Sequence, residues 1–355
     1  MKLSTLCRAS IAPLAIGLAL LSTHCASDTT DEDFSKRTVT AMQGSVTGDL
    51  GALIAAATEL QASAPTPAGR GWDKSLDAAD IAKMKEAWVK ARIAYEHVEG
   101  ALAPIFPDID GSIDARYDDF LTNSGPDSNL FDDQGVTGLH AAERIIFSDV
   151  TPAGVIALEA SLPGYKAAAF PSTEEEAHAF KGQLLARIVA DAKLMKSQWT
   201  PAKIDLSGAF TGLADLMNEQ REKVNKAGNQ EEESRYAQRT MADLRANLEG
   251  TQKIYGVFRP WLLTKKSSQE PLDGPSHDKE ILAGFAKLKA IYDTVDGDAF
   301  PAPPPGWSAE DPSEADLETP FGKLFVAVGT AVDPNQQGSL AQAMADAGAI
   351  LGLNK

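Results

Sequence analysis

The chain has 355 residues, with 33 Lys and Arg against 50 Asp and Glu, a net charge of −17, and two cysteines. A surface this acidic repels nucleic acid and anionic lipid and attracts cations. Cys7 falls within an N-terminal leader and Cys25 at its end, so no pair is left for a disulfide, and thiolate metal sites and cysteine nucleophiles are excluded.

The leader has a basic start (Met1, Lys2, Arg8) and an apolar run from Ile11 to Leu21. That run is too short for a stable membrane span and has the layout of a secretory signal. It closes on Leu21-Ser22-Thr23-His24-Cys25-Ala26-Ser27. A cysteine at this place points to a lipoprotein lipidated at Cys25, although His24 stands where a small residue is expected; cleavage near Ser27 without a lipid is the alternative. The expectation is an exported protein of the periplasm or of an envelope membrane surface, with residues 1–25 as leader and 26–36 as an acidic tether.

Helical periodicity dominates the chain beyond the tether. Val39, Met42, Val46, Leu50, Leu53, Ala57 and Leu60 recur at three- and four-residue steps, one face of a long amphipathic helix that stops at Ala64-Pro65-Thr66-Pro67. A second helix starts near Asp77 or Asp80, carries Ile81, Met84, Trp88, Ala91, Tyr95, Val98 and Leu102 inward, and ends at Pro104 and Pro107. Residues 107–134 are rich in Asp, Gly, Asn and Pro and read as a long connection with one helical turn near 113–120; such connections are more often functional than idle. Helix resumes over 136–147 and again over 174–199, 206–226, 231–263, 277–295, 314–332 and 339–351, while the Pro-rich stretch 301–306 reads as a surface spacer. Strand-type alternation is nearly absent. The expected fold is therefore all-α: two packed helical bundles, four-helix-bundle-like, over residues 37–165 and 166–355, with the boundary between Val150 and Glu174. A weak similarity between the helices around 88–102 and 244–262 hints at internal duplication.

Chemistry concentrates on few residues. His140 and Glu143 are three apart, so they share a helix face, and that face also carries Val136, Leu139, Ile146 and Phe147. An unpartnered inward carboxylate is costly, and either a metal ion or an arginine such as Arg92 or Arg144 would satisfy it. On the second helix, at about 100° per residue, Glu99 falls roughly 20° from Trp88, inside the apolar stripe. Glu96 lies at the stripe's edge and His97 points outward. Glu96, Glu99, Asp114, His140 and Glu143 then form a mixed oxygen and imidazole set that suits iron, zinc or manganese better than copper(I). A salt-bridge network with Arg92 and Arg116 is the equal alternative.

Four segments carry a resemblance. Gly138-Leu139-His140-Ala141-Ala142-Glu143 resembles the Gly-x-His-x-x-Glu signature of the imelysin-like family. Ala91-Arg92-Ile93-Ala94-Tyr95-Glu96-His97-Val98-Glu99, Ile113-Asp114-Ala115-Arg116 and Asp243-Leu244-Arg245-Ala246-Asn247-Leu248-Glu249-Gly250 are similar, in the same order, to motifs of its periplasmic iron-uptake branch, the EfeO/EfeM type. The resemblance implies a pair of helical bundles and a role in binding or delivering iron. It makes His140 and Glu143 the expected metal ligands with Glu96, Glu99 and Asp114 as companions, and it implies an inner-membrane iron permease or another envelope protein as partner. The family's Ser-His segment is replaced by Ser234-Arg235-Tyr236-Ala237, which puts any ligand from the second bundle in doubt.

Two other functions compete. A metallopeptidase of imelysin type needs more than the single histidine that the motif supplies. A non-catalytic envelope lipoprotein would bind its partner between the bundles, and that reading gains if Arg92 or Arg116 fills the space between the carboxylates.

Overall fold

The computed structural model describes residues 30–200, 202–267 and 273–353; the leader and Cys25 lie outside them. Among the described residues there is no strand, and the all-α expectation holds.

The first helix, α1 (Asp31–Ser63), begins inside the stretch expected to be a tether. Thr30 and Asp33 form a reciprocal capping box, and Asp31, Glu32 and Asp33 place negative charge at the helix's positive end. Its stripe Met42, Val46, Leu50, Leu53, Ala57 and Leu60 is buried as the spacing requires. The second helix is shorter than the apolar stripe predicts. It divides into α2 (Ala78–Glu96) and α3 (Glu99–Leu102), with a turn at His97 and Val98. The acidic connection holds two short helices, α4 (Pro107–Ile113) and α5 (Tyr117–Ser124), followed by irregular chain up to α6 (Gly138–Ile146).

An unexpected short helix, α7 (Ala153–Ala160), precedes α8 (Glu174–Ala179), which runs through a π-helical turn at Phe180–Leu184 into α9 (Leu185–Trp199). Then come α10 (Leu206–Ala227) and α11 (Thr240–Leu262). The sequence pattern predicts helix from 231, but residues 231–239 form a compact non-helical segment. Last are α12 (Gly274–Tyr292), α13 (Glu314–Leu317), α14 (Pro320–Val332) and α15 (Leu340–Leu351).

Helix α1 packs along α2, α9 and α11, and α2 also meets α6 and α11. Helix α10 packs on α3, α11, α14 and α15, while α12 lies against α11, α14 and α15. The buried apolar residues form one continuous cluster through all of these helices. Helix α11 is therefore central: one face meets α2 and another meets α10 and α12. Polar residues on its inner face are thereby carried next to those of α2 and α10.

Candidate metal centre

Gly138 fixes the start of α6. It has φ +89°, and a Cβ there would lie 2.3 Å from the Ile113 carbonyl oxygen, so only glycine allows this contact with the end of α4. The Thr137 hydroxyl donates to the Ser112 carbonyl at 3.1 Å, and Trp88 Nε1 donates to the Leu139 carbonyl at 2.9 Å. The first turn of α6 is thus pinned to α4 and α2, with His140 and Glu143 buried on its inner face.

Glu143 is fully engaged. One oxygen lies 2.9 Å from His140 Nδ1; the other accepts the backbone N–H groups of Tyr236 at 3.0 Å and Ala237 at 2.8 Å. The segment whose contribution of a ligand was in doubt therefore closes the site, by its backbone. Holding Nδ1 fixes the imidazole so that Nε2 faces Asp114 Oδ1 at 3.3 Å, and Nε2 itself has no aligned hydrogen-bond partner. A carboxylate behind one ring nitrogen with the other nitrogen presented forward is the arrangement metal-ligating histidines use.

Opposite His140 lies a dense group of charge. Arg92, from α2, contacts Glu96, Asp114, Glu233 at 3.0 Å and Asp243 at 3.7 Å. Lys223, from α10, is 2.8 Å from Glu233, 3.4 Å from Glu99 and 3.8 Å from Glu96. Asn247 of α11 donates to Glu96 and to Glu99 and accepts from Lys223 at 3.0 Å. The Ser234 hydroxyl donates to Asp243.

The break after α2 decides which glutamate is central. Gly250 of α11 sits so close to His97 that a Cβ would come within 2.4 Å of its carbonyl oxygen, and the Asn247 amide donates to the Glu96 backbone carbonyl at 3.2 Å. With the chain turned there, Glu96 is completely buried and Glu99 is displaced toward solvent, with 13% of its side chain exposed. This reverses the order that a continuous helix predicts. His97 is 25% exposed, beside Asp49 and Glu249. Arg116 stays out of the cluster; it donates to the Glu231 carbonyl and lies near Asp118.

Burial and charge push the groups apart. Burial raises Glu96 well above the carboxylate range and lifts Asp243 to about 7, in each case against the pull of Arg92. Asp114 is held low because Arg92 and His140 outweigh its burial. Glu233, also buried, is lowered to about 2 by Lys223 and Arg92. Burial and Arg92 disfavour charge on His140, yet Asp114 and Glu143 raise it to about 9.

Two triads place one ligand atom per residue within 4.8 Å of one another: Asp114, His140 and Glu233, and Glu96, Glu233 and Asp243. An open cleft of about 270 Å³, lined by Glu99, Arg116, Glu219, Glu222, Lys223, Lys226 and Glu233, shares three of its residues with the cluster and links it to solvent. The carboxylates Glu96, Glu99, Asp114, Glu143, Glu233 and Asp243 face two fixed cations, Arg92 and Lys223, and His140, which its raised pKa keeps charged at neutral pH. Such an excess of buried negative charge is relieved by protons or by a cation.

Of the predicted residues, His140, Glu143, Glu96, Glu99 and Asp114 all reach this one region. Glu233, Lys223, Asp243 and Asn247 were missed as site residues. Asp243 and Asn247 are four apart, on one face of α11, and that spacing within the fourth motif was the available signal. Glu233 had none, because the pattern put it in a helix.

The family model described as Imelysin matches residues 27–347. The chain is 28% identical over 232 residues to the iron uptake system component EfeO of Escherichia coli (strain K12), covering 64% of this chain and 49% of that protein. The same figures hold for the EfeO protein of Shigella flexneri. The chain thus spans about half the length of the curated relatives it matches. The match across nearly all of its length shows that this chain belongs to the imelysin family.

Proposed function

We propose that the chain is an exported metal-binding protein of the cell envelope that binds iron for uptake or delivery. The observation that carries this reading is the excess of buried carboxylate around His140 Nε2, a nitrogen that Glu143 holds toward Asp114 and Glu233. The donors are carboxylate oxygens and one imidazole, a set that fits iron, with zinc and manganese as alternatives. His140, Asp114 and Glu233 would take the ion, Glu96 and Asp243 would complete its surroundings, and Glu143 would orient the imidazole. Glu99, at the mouth, would meet the ion first. The description of EfeO as an iron uptake component supports iron as the cargo.

The leader's layout supports export, and a lipid on Cys25 would hold the protein at a membrane surface. No described helix is long and apolar enough to cross a membrane. An inner-membrane permease that accepts the ion is the partner this role requires. Among the described residues one imidazole reaches the cluster, whereas zinc peptidases of the two-histidine type need two.

Arg92 at the centre of the carboxylates favours a second reading, a structural charge network in a partner-binding protein. Calorimetric titration of metal-stripped protein with ferric citrate, ferrous iron, zinc and manganese separates the two, with His140→Ala and Glu233→Gln beside the wild type. Saturable binding that both substitutions abolish, ranked with iron first, is the expected result. Weak binding that neither substitution changes would leave the structural network as the account.

A further inference from the structure

We infer that Arg92 is a built-in occupant of the cation position, whose guanidinium holds the carboxylates in the metal-free protein and is displaced when a metal ion enters. This rests on the metal-binding reading and adds the device that sets its affinity.

The geometry is specific. The two triads contain Glu96, Asp114, Glu233 and Asp243 as their carboxylates, and every one of the four is a partner of Arg92. The guanidinium therefore lies among the same oxygens that a metal ion would recruit. It does so imperfectly. Nε and Nη2 of Arg92 are buried yet make no aligned hydrogen bond, although a structural Arg–carboxylate pair is typically bidentate with its donors matched to oxygens. Arg92 serves as positive charge at the centre of the cluster more than as a fitted fork. Lys223 does not share this role, because it meets only Glu96 and Glu233 of the four and sits on the cleft side beside Glu99 and Asn247.

A guanidinium and a multivalent metal ion cannot share one set of oxygens at close range, since their repulsion in a buried site is large. The neighbours that would receive the displaced group are Tyr95 and Asp110. The Arg92 guanidinium carbon is 5.5 Å from the centre of the Tyr95 ring, a cation–π distance. The Tyr95 hydroxyl donates to Asp110. A swing of the arginine toward Asp110 would leave the four carboxylates to the metal. The ion brings two or three positive charges where the guanidinium takes away one, and the carboxylates, in excess over their cations, absorb the difference.

The test titrates metal-stripped wild type, Arg92→Gln, Arg92→Lys and Asp110→Asn with zinc and with ferric citrate, and records the melting temperature of each metal-free protein. Removing a buried like charge beside the ion should tighten binding by about tenfold or more in Arg92→Gln, while the metal-free variant melts lower than wild type. Arg92→Lys should fall between the two, and Asp110→Asn, which loses the receiving carboxylate, should bind more weakly than wild type. A folded Arg92→Gln protein that binds no more tightly than a wild type that does bind would overturn the displacement while leaving the metal site intact. A wild type that binds neither metal would sink both readings. If Arg92→Gln does not fold, the side-chain Nε–H resonance of Arg92 in wild-type protein labelled with ¹⁵N-arginine decides. A shift during zinc titration supports displacement, and an unmoved resonance at saturation contradicts it.

Discussion

Two groups of buried charge share the 231–239 segment, and they are built differently. One joins Arg144 and Arg235 to Glu159 and Asp118: Arg144 Nε donates to Glu159 at 3.0 Å, and Arg235 Nη2 donates to Asp118 at 2.6 Å. Tyr236 adds its hydroxyl to Glu159, and Tyr117 lies 3.7 Å under the Arg144 guanidinium. Two buried cations meet two carboxylates, with the less buried Arg116 3.9 Å from Asp118. The other group, reached by Glu233 from the same segment, sets six carboxylates against Arg92, Lys223 and His140. Burial and charge are common to both, so neither marks a metal site alone. The imbalance does. The balanced group serves the unbalanced one, because it holds Tyr236, whose backbone N–H fixes Glu143.

The largest expected effect breaks the balanced group. Glu159→Gln leaves two buried arginines short of a counter-charge and should destabilise the protein by about 3–5 kcal/mol, read from urea unfolding. If it costs as little as a surface substitution, the two groups are not distinct. Next, Glu143→Gln removes the carboxylate behind His140 without touching the ligand atom. It should weaken metal binding by about 10- to 100-fold in calorimetry, the usual scale for such support. Asp243→Asn should have the opposite sign in the metal-free protein. It removes surplus charge while keeping a polar group for Ser234, and it should raise stability at pH 8 by on the order of 1 kcal/mol, where the same change in a balanced pair would lower it.

The smallest effect is in pH. The folded protein holds His140 at about 9, above its ordinary 6.5. Its contribution to stability is therefore complete below about 6.5 and is lost as pH rises through about 9. Asp243, raised to about 7 by burial, adds a loss of the same sign as pH climbs from the ordinary carboxylate range through 7. In the balanced group Asp118 is held at about 2, where Arg235 outweighs its burial, and it changes nothing between pH 6 and 9. The melting temperature of metal-free protein should fall across that interval, and His140→Ala should flatten the upper part. Metal affinity should rise over the same range, because His140 releases a proton to bind.

Much of this was legible in the sequence. The stripes of α1 and α9 to α12 follow from spacing, and His140, Glu143, Glu96, Glu99 and Asp114 were all placed in one region by motif and periodicity. Periodicity failed where chain direction changed without a proline or glycine at the break. Between Glu96 and Leu102 the sequence offers only Gly100 as a weak break signal, and the turn at His97 is fixed by Gly250 on another helix. Residues 231–239 read as helix because Glu, Arg and Ala favour it; their conformation is set instead by tertiary partners, Thr240 and Asp243 for Ser234, Glu143 for Tyr236 and Ala237, and Asp118 for Arg235. The spacing gives Arg92 an inward direction but cannot rank it against a metal ion, since both satisfy the same carboxylates.

The central claim is that an ion sits before His140 Nε2 among carboxylates that Arg92 otherwise holds. Crystals of the iron-loaded protein, measured at the iron absorption edge, test it most directly. The account predicts an anomalous peak within bonding distance of His140 Nε2, Asp114 and Glu233, with the Arg92 guanidinium moved toward Asp110. Iron found only on exposed carboxylates, with Arg92 still among Glu96, Asp114, Glu233 and Asp243, would contradict it.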